Sequence, residues 1–264
     1  MNEPLDPMPP AADGSAETPA KSRQKRKGKT KGKRRGRPGG EESRARILDV
    51  AGHLFAERGF NGVSTRELAR AANANVSAIA YYFHGKSGLY HAVLRQLVAD
   101  TDPIFHPVIE HLDREVKAAE GDRKKLAVIA AWLVAGLLRA LLSNERMRWQ
   151  MGLMLREFHQ PSKEFQMLLD DRIHPMHDAV ARLVAAVTGG KPKSPETLLF
   201  TISVIGQCMT FGAVRNLVFA RLDWDDYTPQ KVETVVVSVV RSVLAMLELP
   251  QVSAPPESTV GGGE

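Results

Sequence analysis

Apolar residues recur at spacings of three and four from about residue 41 to residue 250, and no run alternates apolar with polar positions. This period is typical of α-helices with one buried face, so the pattern predicts an all-α fold. Short helices are expected first, over Glu42 to Arg58, Ser64 to Ala72, Val76 to Phe83, and Lys86 to about Thr101, where Pro103 should end the helix. Longer helices should follow over 104–119, 123–142, 145–159, 162–187, 195–221 and 229–248. Pro175 should kink or split the helix predicted over 162–187.

Composition divides the chain into four parts. Residues 1–40 and 251–264 are poor in large apolar side chains, so we expect a disordered tail at each end. Residues 41–101 predict a small helical domain, and residues 102–250 predict a larger helical bundle. The first tail holds 11 basic and four acidic residues, whereas the rest of the chain holds 25 and 26. The basic character therefore belongs to the tail, and the folded body is close to neutral.

Several classes of protein are disfavoured by simple features. Cys208 is the single cysteine, which excludes a disulfide framework and a four-cysteine zinc site. The N-terminus lacks the pattern of a secretory signal. The longest apolar run, Leu126 to Leu138, has 13 residues, fewer than the ~20 needed to cross a bilayer, so it predicts a buried core helix. We expect a cytoplasmic protein that does not enter a membrane.

Residues 64–83 have the dimensions of a helix-turn-helix. Ser64 and Glu67 form the spacing of a capping box, in which each side chain bonds the other residue's backbone N–H. Asn75 suits the N-cap of the following helix. Two short helices joined by a three-residue turn fit a DNA-binding unit, because the second can lie in a major groove about 12 Å wide.

Residues 43–98 closely resemble the DNA-binding domain of TetR-type bacterial transcriptional regulators. The matching stretches are Ile47 to Ala51, Leu54 to Phe60, Thr65 to Ala69, and Tyr82-Phe83 with Lys86. The stretch from about 145 to 187 resembles a C-terminal domain of the CerR or CecR type. The resemblance implies an N-terminal three-helix DNA-binding domain and a helical-bundle domain that binds a small effector and dimerises. It also implies a repressor that an effector releases from a palindromic operator.

The chain departs from the family pattern in the turn and in the second helix. Asn73 stands where the family usually has Gly, and Asn tolerates the left-handed conformation expected there. Asn75 replaces the usual Ser or Thr cap, and Ala80 replaces a frequent Tyr. One DNA contact common in the family should therefore be absent.

The predicted reading helix, 76–83, carries no Arg, Lys, Asn or Gln, the side chains that read bases through paired hydrogen bonds. We expect methyl contacts from Val76, Ala78 and Ala80, and hydrogen bonds from Ser77 and Tyr81. Arg66 or the tail should supply polar readout, and the helix start at Ser64 and Thr65 favours a phosphate. The resemblance assigns further phosphate contacts to Tyr82 and Lys86; the alternatives are that Tyr82 is part of the core and that Lys86 is a solvated surface residue. The expected DNA-binding residues are Ser64, Thr65, Arg66, Asn75, Val76, Ser77, Ala78, Tyr81, Tyr82 and Lys86.

The tail contains the sequence Arg-Arg-Gly-Arg-Pro-Gly over residues 34–39, which resembles the core of an AT-hook. An arm of this kind can insert arginines into a narrow A·T minor groove, and Arg35 and Arg37 are the candidates. The alternative is a cationic tail that adds affinity for any DNA sequence.

Large apolar residues and methionines gather in the central helices, which favours an apolar effector cavity over polar chemistry. The candidate cavity residues are Trp132, Trp149, Met154, Phe158, Met209 and Phe211; each can equally be ordinary core. The polar candidates to orient an effector are Arg148, Arg156, Glu157, His159, Gln207 and Arg215. His174 and His177 are interpreted as a solvated helix face around Pro175, so no metal and no cofactor is expected.

The last two long helices, 195–221 and 229–248, are the candidates for a dimer seam. The stripe of Val and Leu from Val232 to Met246 is wider than one neighbouring helix needs. A helical enzyme is the first alternative function, but no catalytic motif or residue is found. An architectural DNA binder acting through the basic tail is the second.

Overall fold

The computed structural model describes residues 39–255, and within that range every regular element is a helix, which confirms the all-α prediction. Most of the predicted tail, with Arg35 and Arg37, lies outside the described residues, as do residues 256–264. The helices are α1 (Gly40–Arg58), α2 (Thr65–Ala71), α3 (Val76–Phe83), α4 (Lys86–Ala119), α5 (Arg123–Ser143), α6 (Glu145–His159), α7 (Phe165–Leu168), α8 (His174–Thr188), α9 (Pro195–Ala213), α10 (Arg215–Leu222) and α11 (Pro229–Met246). A π-helical turn, Leu169–Ile173, joins α7 to α8.

The first core lies between α1, α2, α3 and the first half of α4. Its buried side chains include Phe55, Leu68, Ile79 and Leu94, and Leu153 of α6 completes it. These residues follow the apolar spacing of three and four that predicts each helix. Because a residue of α6 belongs to this core, the small N-terminal domain is packed directly on the larger bundle.

The helix predicted to end at Pro103 continues, which is a correction. α4 runs unbroken from Lys86 to Ala119 through Pro103 and Pro107. Both prolines are exposed, and the opposite face of the helix is held by the buried Phe105 and Leu112. Tertiary packing therefore outweighs the backbone hydrogen bonds that the prolines remove. The predicted domain boundary at residues 101 and 102 lies inside this helix.

The second core is formed by the second half of α4 with α5, α8, α9 and α11. The apolar stripe predicted on α11 meets two helices of the same chain, α5 and α9, so its width alone does not indicate a partner chain. Its valines, including Val236 and Val240, are buried within the chain, mostly against α5. The helix predicted over 195–221 is also two helices, because the chain bends at Val214 between α9 and α10.

Two further predictions concern the chain around Pro175 and after residue 250. The predicted split at Pro175 is confirmed, since Pro175 lies in the first turn of α8, where its missing N–H costs little. Residues 251–255, predicted as the start of a flexible tail, instead contact the second core. Val252 and Ala254 pack there, and the Pro255 carbonyl accepts a hydrogen bond of 2.9 Å from Arg139.

Helices α5 and α9 are long and apolar enough to cross a membrane by length and composition alone. About half of the apolar stretch of α5 is buried inside the protein (56%), which confirms the core helix predicted from Leu126 to Leu138. A buried core helix passes the same test as a membrane span. The apolar stretch of α9 is only 22% buried, so this helix presents an apolar face that the described chain leaves open.

Candidate nucleic-acid interface and cavity

Helix α3 is held at the surface by the turn that precedes it. The predicted capping box is present: the Glu67 N–H donates to Ser64 Oγ at 3.2 Å, and the Ser64 N–H donates to Glu67 Oε2 at 2.8 Å. The Ser77 N–H donates to Asn75 Oδ1 at 3.1 Å, so Asn75 caps α3 as predicted. Asn73 has a φ of 47°, the left-handed conformation expected at that position. These local bonds fix the angle between α2 and α3.

One stripe of α3 faces solvent. Val76, Ser77, Ala80 and Tyr81 are exposed, and 78% of Tyr81 is accessible, whereas Ile79 is buried. The predicted contact through Ala78 is less favourable than expected, because its half-buried side chain packs against the first core. Ala80 occupies the exposed stripe, one helical turn from Val76. The stripe therefore carries no charged side chain. Its side chains are small except for Tyr81, which provides an aromatic hydroxyl.

Four further residues expected to contact DNA lie at the start of α2 and at the start of α4. Ser64 and Arg66 are exposed and Thr65 is half-buried, all at the start of α2. The Ser64 hydroxyl donates to Glu67 at 2.7 Å, so it is already engaged in the cap. The Lys86 ammonium lies 4.4 Å from the centre of the Phe60 ring, a cation–π contact that holds it in place.

Tyr82 and Arg44 lie beside the residues of α3 and complete this surface. Tyr82 is half-buried and contacts the Tyr81 ring edge-on, at 5.0 Å between centres. Arg44, which was not predicted, is exposed and lies 5.3 Å from the centre of the Phe83 ring. The position of Arg44 beside α3 depends on how α1 packs, and the sequence pattern does not predict that packing. Arg44 adds a cation to a surface whose reading helix has none.

A cavity of about 360 Å³ lies between α4, α5, α6, α7, the π turn, α8 and α9. Among the predicted cavity residues, Met154, Phe158 and Met209 line it. Its wall is almost wholly apolar and includes Leu97, Phe105, Leu137, Leu141, Met147, Met151, Phe165, Ile173, Met176, Ile202 and Ile205. A cavity of this size and polarity suits a small organic ligand.

Three predicted cavity residues lie elsewhere. Trp149 is on the opposite face of α6, where its ring lies 5.1 Å from that of His53 on α1. Trp132 turns toward α4 and contacts the His111 ring at 4.4 Å. Phe211 is half-buried against the second core, and its carbonyl accepts a hydrogen bond of 2.7 Å from Tyr227. Helical spacing gives the face on which each residue lies but does not say which neighbour that face meets.

None of the six predicted polar candidates lines the cavity. The polar side chains found there are instead Thr101, Gln150, Arg172 and His177. Arg172 projects from the π turn, and burial lowers its pKa to about 10. Burial, and to a smaller extent the charge of His174, also lowers the pKa of His177. His177 therefore does not lie on a fully solvated helix face, which corrects the prediction. Within residues 39–255, no group of three or more His, Cys, Asp and Glu is placed to hold a metal ion.

Helix α6 contacts both this cavity and the N-terminal domain. Its Met154 faces the cavity, while its Arg156 donates from Nε to the Ala56 carbonyl of α1 at 2.7 Å. Glu157, which is 1% exposed, accepts a hydrogen bond of 2.5 Å from the Tyr90 hydroxyl of α4. The burial of Tyr90, and then that bond, raise the pKa of the Tyr90 hydroxyl. The geometry gives α6 direct contact with whatever fills the cavity and with the helices that support α3.

Comparison with known proteins agrees with this arrangement. The family model described as bacterial regulatory proteins, tetR family, matches residues 47–93. The model of the C-terminal domain of the HTH-type transcriptional dual regulator CecR matches residues 131–248. CecR of Shigella flexneri is 26% identical over 196 residues, which cover 74% of this chain and 87% of that protein.

Solved structures share the fold. AibR in complex with isovaleryl coenzyme A and operator DNA superposes with a TM-score of 0.53 at 15% identity, covering 76% of this chain and 97% of AibR. HlyIIR, a hemolysin II transcriptional regulator, gives a TM-score of 0.50 at 18% identity, covering 76% and 98%. The helix-turn-helix, the helical bundle behind it and the two matching family models lead to one assignment. The chain belongs to the TetR family of bacterial regulatory proteins and is a DNA-binding transcriptional regulator with a C-terminal domain of the CecR type.

Proposed function

We propose that this protein is a cytoplasmic, homodimeric repressor that leaves a pseudo-palindromic operator when a small molecule fills the cavity. One observation carries the proposal: α6 lines the cavity with one face and contacts α1 and α4 with the other. A ligand that moves α6 therefore moves the supports of α3. The release of DNA follows when the ligand binds the DNA-incompetent arrangement more tightly.

The operator is read mainly through shape and methyl contacts. Val76 and Ala80 on the exposed stripe of α3 can meet thymine methyl groups, and Ser77 and Tyr81 can bond base edges or phosphates. Thr65 and the Lys86 ammonium can hold the DNA backbone in register, and Arg66 can supply polar readout of the bases. Asn75 contributes through its cap, which sets the direction of α3.

The dimer forms mainly through α9. Leu198 and Leu199 are exposed on this helix outside the cavity, and 65% of Leu199 is accessible. In contrast, α11 uses its valine stripe within the chain and leaves Val237 as its large exposed apolar residue. An exposed apolar face of this kind indicates a partner surface. A two-fold dimer then presents two copies of α3 to the two halves of an operator.

Selection of binding sites from random duplex DNA tests the proposal. The purified protein should enrich one palindrome over bulk DNA by about 10³-fold or more. Tyr81→Ala should weaken that preference, and Ser77→Arg should raise affinity for DNA in general while losing the preference. The exposed loop residue Lys191 provides the control Lys191→Ala, which should bind as the wild type does. Equal binding to all sequences would favour the architectural alternative.

A further inference from the structure

Two buried hydrogen-bond donors in the cavity wall have no partner. Gln150 is 3% exposed, and its Nε2 makes no hydrogen bond within residues 39–255. Arg172 has the same property at Nε. The Thr101 hydroxyl, by contrast, already donates to the Leu97 carbonyl at 2.8 Å. Buried donors without acceptors cost free energy, and a cavity that keeps two of them is suited to a ligand that accepts.

Arg172 is the charged member of this pair. Its guanidinium stacks 3.2 Å from the centre of the Phe105 ring and forms no ion pair with any described residue. Burial lowers the pKa of Arg172, and the charge of the exposed Asp102 offsets only part of that effect. With a pKa of about 10 the group is still a cation at neutral pH. Arg172 is half-buried, with its Nε inaccessible to solvent, and a cation in this environment without an ion pair is stabilised by an anion that enters the cavity.

The backbone around Arg172 is itself unusual. Leu169–Ile173 is a π-helical turn, and Leu169, Arg172 and Ile173 all line the cavity. Single π turns within helices occur frequently at functional sites, because the extra residue redirects side chains. Here the turn places a cation in a wall that is mostly apolar.

We propose that the effector is an amphipathic organic anion whose head group accepts hydrogen bonds from Arg172 and Gln150. This inference rests on the proposed function, since it names the ligand class of the same cavity. The apolar wall accommodates the body of the ligand. At ~30 Å³ for each water-sized group, the cavity of about 360 Å³ holds about a dozen non-hydrogen atoms. An aliphatic or aromatic monocarboxylate of that size fits the chemistry.

Decanoate, a carboxylate of this size, is the probe, and 1-decanol and decyltrimethylammonium are its neutral and cationic counterparts. Isothermal titration of the full chain without DNA should show decanoate binding at least about tenfold more tightly than decanol, with no binding of the cation. Arg172→Met should reduce decanoate binding to the level of decanol and leave decanol unchanged. Arg172→Lys, which keeps the charge, should keep part of the preference.

Arg148 provides a matched control. Its Nε is also buried without a hydrogen bond, but it does not line the cavity. Arg148→Met should therefore bind decanoate as the wild type does, and thermal unfolding of both Met variants checks that they fold. Equal binding of decanoate and decanol, no binding of decanoate, or an unchanged preference in Arg172→Met would overturn the inference.

Operator binding separates this inference from the proposed function. Decanoate that binds through Arg172 and also weakens operator binding supports both. Decanoate that binds through Arg172 but leaves operator affinity unchanged supports the ligand class and contradicts release by the ligand.

Discussion

Ser64, Glu67, Asn73 and Asn75 set the geometry of the DNA-reading turn through contacts with their own near neighbours. The side-chain hydrogen bonds of Ser64, Glu67 and Asn75 join residues no more than three positions apart. Such bonds depend on little beyond the local sequence, since a short polar side chain beside a helix start has few other partners. The turn is therefore the part of the site that the sequence predicts best.

Glu67 makes the stability of this turn depend on pH. Hydrogen bonds from the Ser64 hydroxyl and then the Ser64 N–H lower its pKa below the usual 4.5, with a smaller contribution from the charge of Arg58. A depressed carboxyl stabilises the fold above its unfolded pKa, and this contribution is lost as the pH falls through the folded value. Glu67→Gln should remove it.

The measurement is chemical unfolding of wild type and Glu67→Gln between pH 3 and pH 7. The wild type should be more stable near neutral pH, and the difference should shrink as the pH falls below about 4.5. Ser64→Ala provides the control, because in that background, which lacks the hydroxyl that lowers the pKa of Glu67, Glu67→Gln should produce a smaller pH-dependent difference. A difference that is constant over the whole range would contradict the assignment.

The cavity residues were predicted less well than the turn, for a physical reason. Met154 and Trp149 lie on one helix and are both large and apolar, yet one lines the cavity and the other packs on α1. Arg172 reaches the cavity through a π turn, which no apolar period predicts. These positions depend on contacts between residues far apart in the chain, whereas the caps depend on neighbours.

At the scale of elements, α4 is one continuous helix that contributes residues to both cores. Its first half packs in the core with Leu94 and its second half in the core with Leu112. Pro103 and Pro107 remove hydrogen bonds to the Ala99 and Pro103 carbonyls without ending the helix. A helix weakened only at the junction of two cores is suited to bend there.

Replacing Pro107 should stabilise the protein. Pro107→Ala restores a backbone donor within α4 and loses no buried surface, since Pro107 is exposed. We expect the free energy of unfolding to rise by about 1–3 kcal/mol. Pro229, at the first position of α11, provides the control Pro229→Ala, which should change it by less than ~0.5 kcal/mol. Denaturant titrations measure both, and equal effects would show that position in the helix is not the cause.

The bond between Tyr90 and Glu157 should be a main link between the N-terminal domain and the bundle. Tyr90→Phe removes the donor to Glu157 Oε1, while Ser162 still donates to Oε2 at 2.9 Å from its hydroxyl. The buried carboxylate then loses one partner, at a cost of about 1–3 kcal/mol in unfolding free energy. Tyr81→Phe is the control, because Tyr81 is exposed and its hydroxyl makes no hydrogen bond within the described chain. Equal unfolding curves for the two variants would contradict the link.

For the whole molecule, the net positive charge of the chain lies in residues 1–40, because the remaining residues are close to neutral. If this tail contacts DNA, each phosphate it neutralises adds about −0.9 to the slope of log affinity against log salt. Deletion of residues 1–39 should therefore flatten the slope for operator DNA. A variant with Arg35→Ala and Arg37→Ala tests the minor-groove alternative, since it should lose the preference for A·T-rich flanks. An unchanged slope after deletion would show that the tail does not contact DNA.

Dimerisation through α9 determines whether two copies of α3 act together. Leu199→Glu places a charge on the exposed apolar face of α9, outside the cavity, and should produce a folded monomer. Operator affinity should then fall by about 10²-fold or more, because the second half-site no longer binds with the effective concentration of a linked partner. Val128 of α5 is also an exposed apolar residue, so Val128→Glu is the control and should stay dimeric. Sedimentation velocity and operator titration measure both effects, and a Leu199→Glu protein that remains a dimer would exclude α9 as the seam.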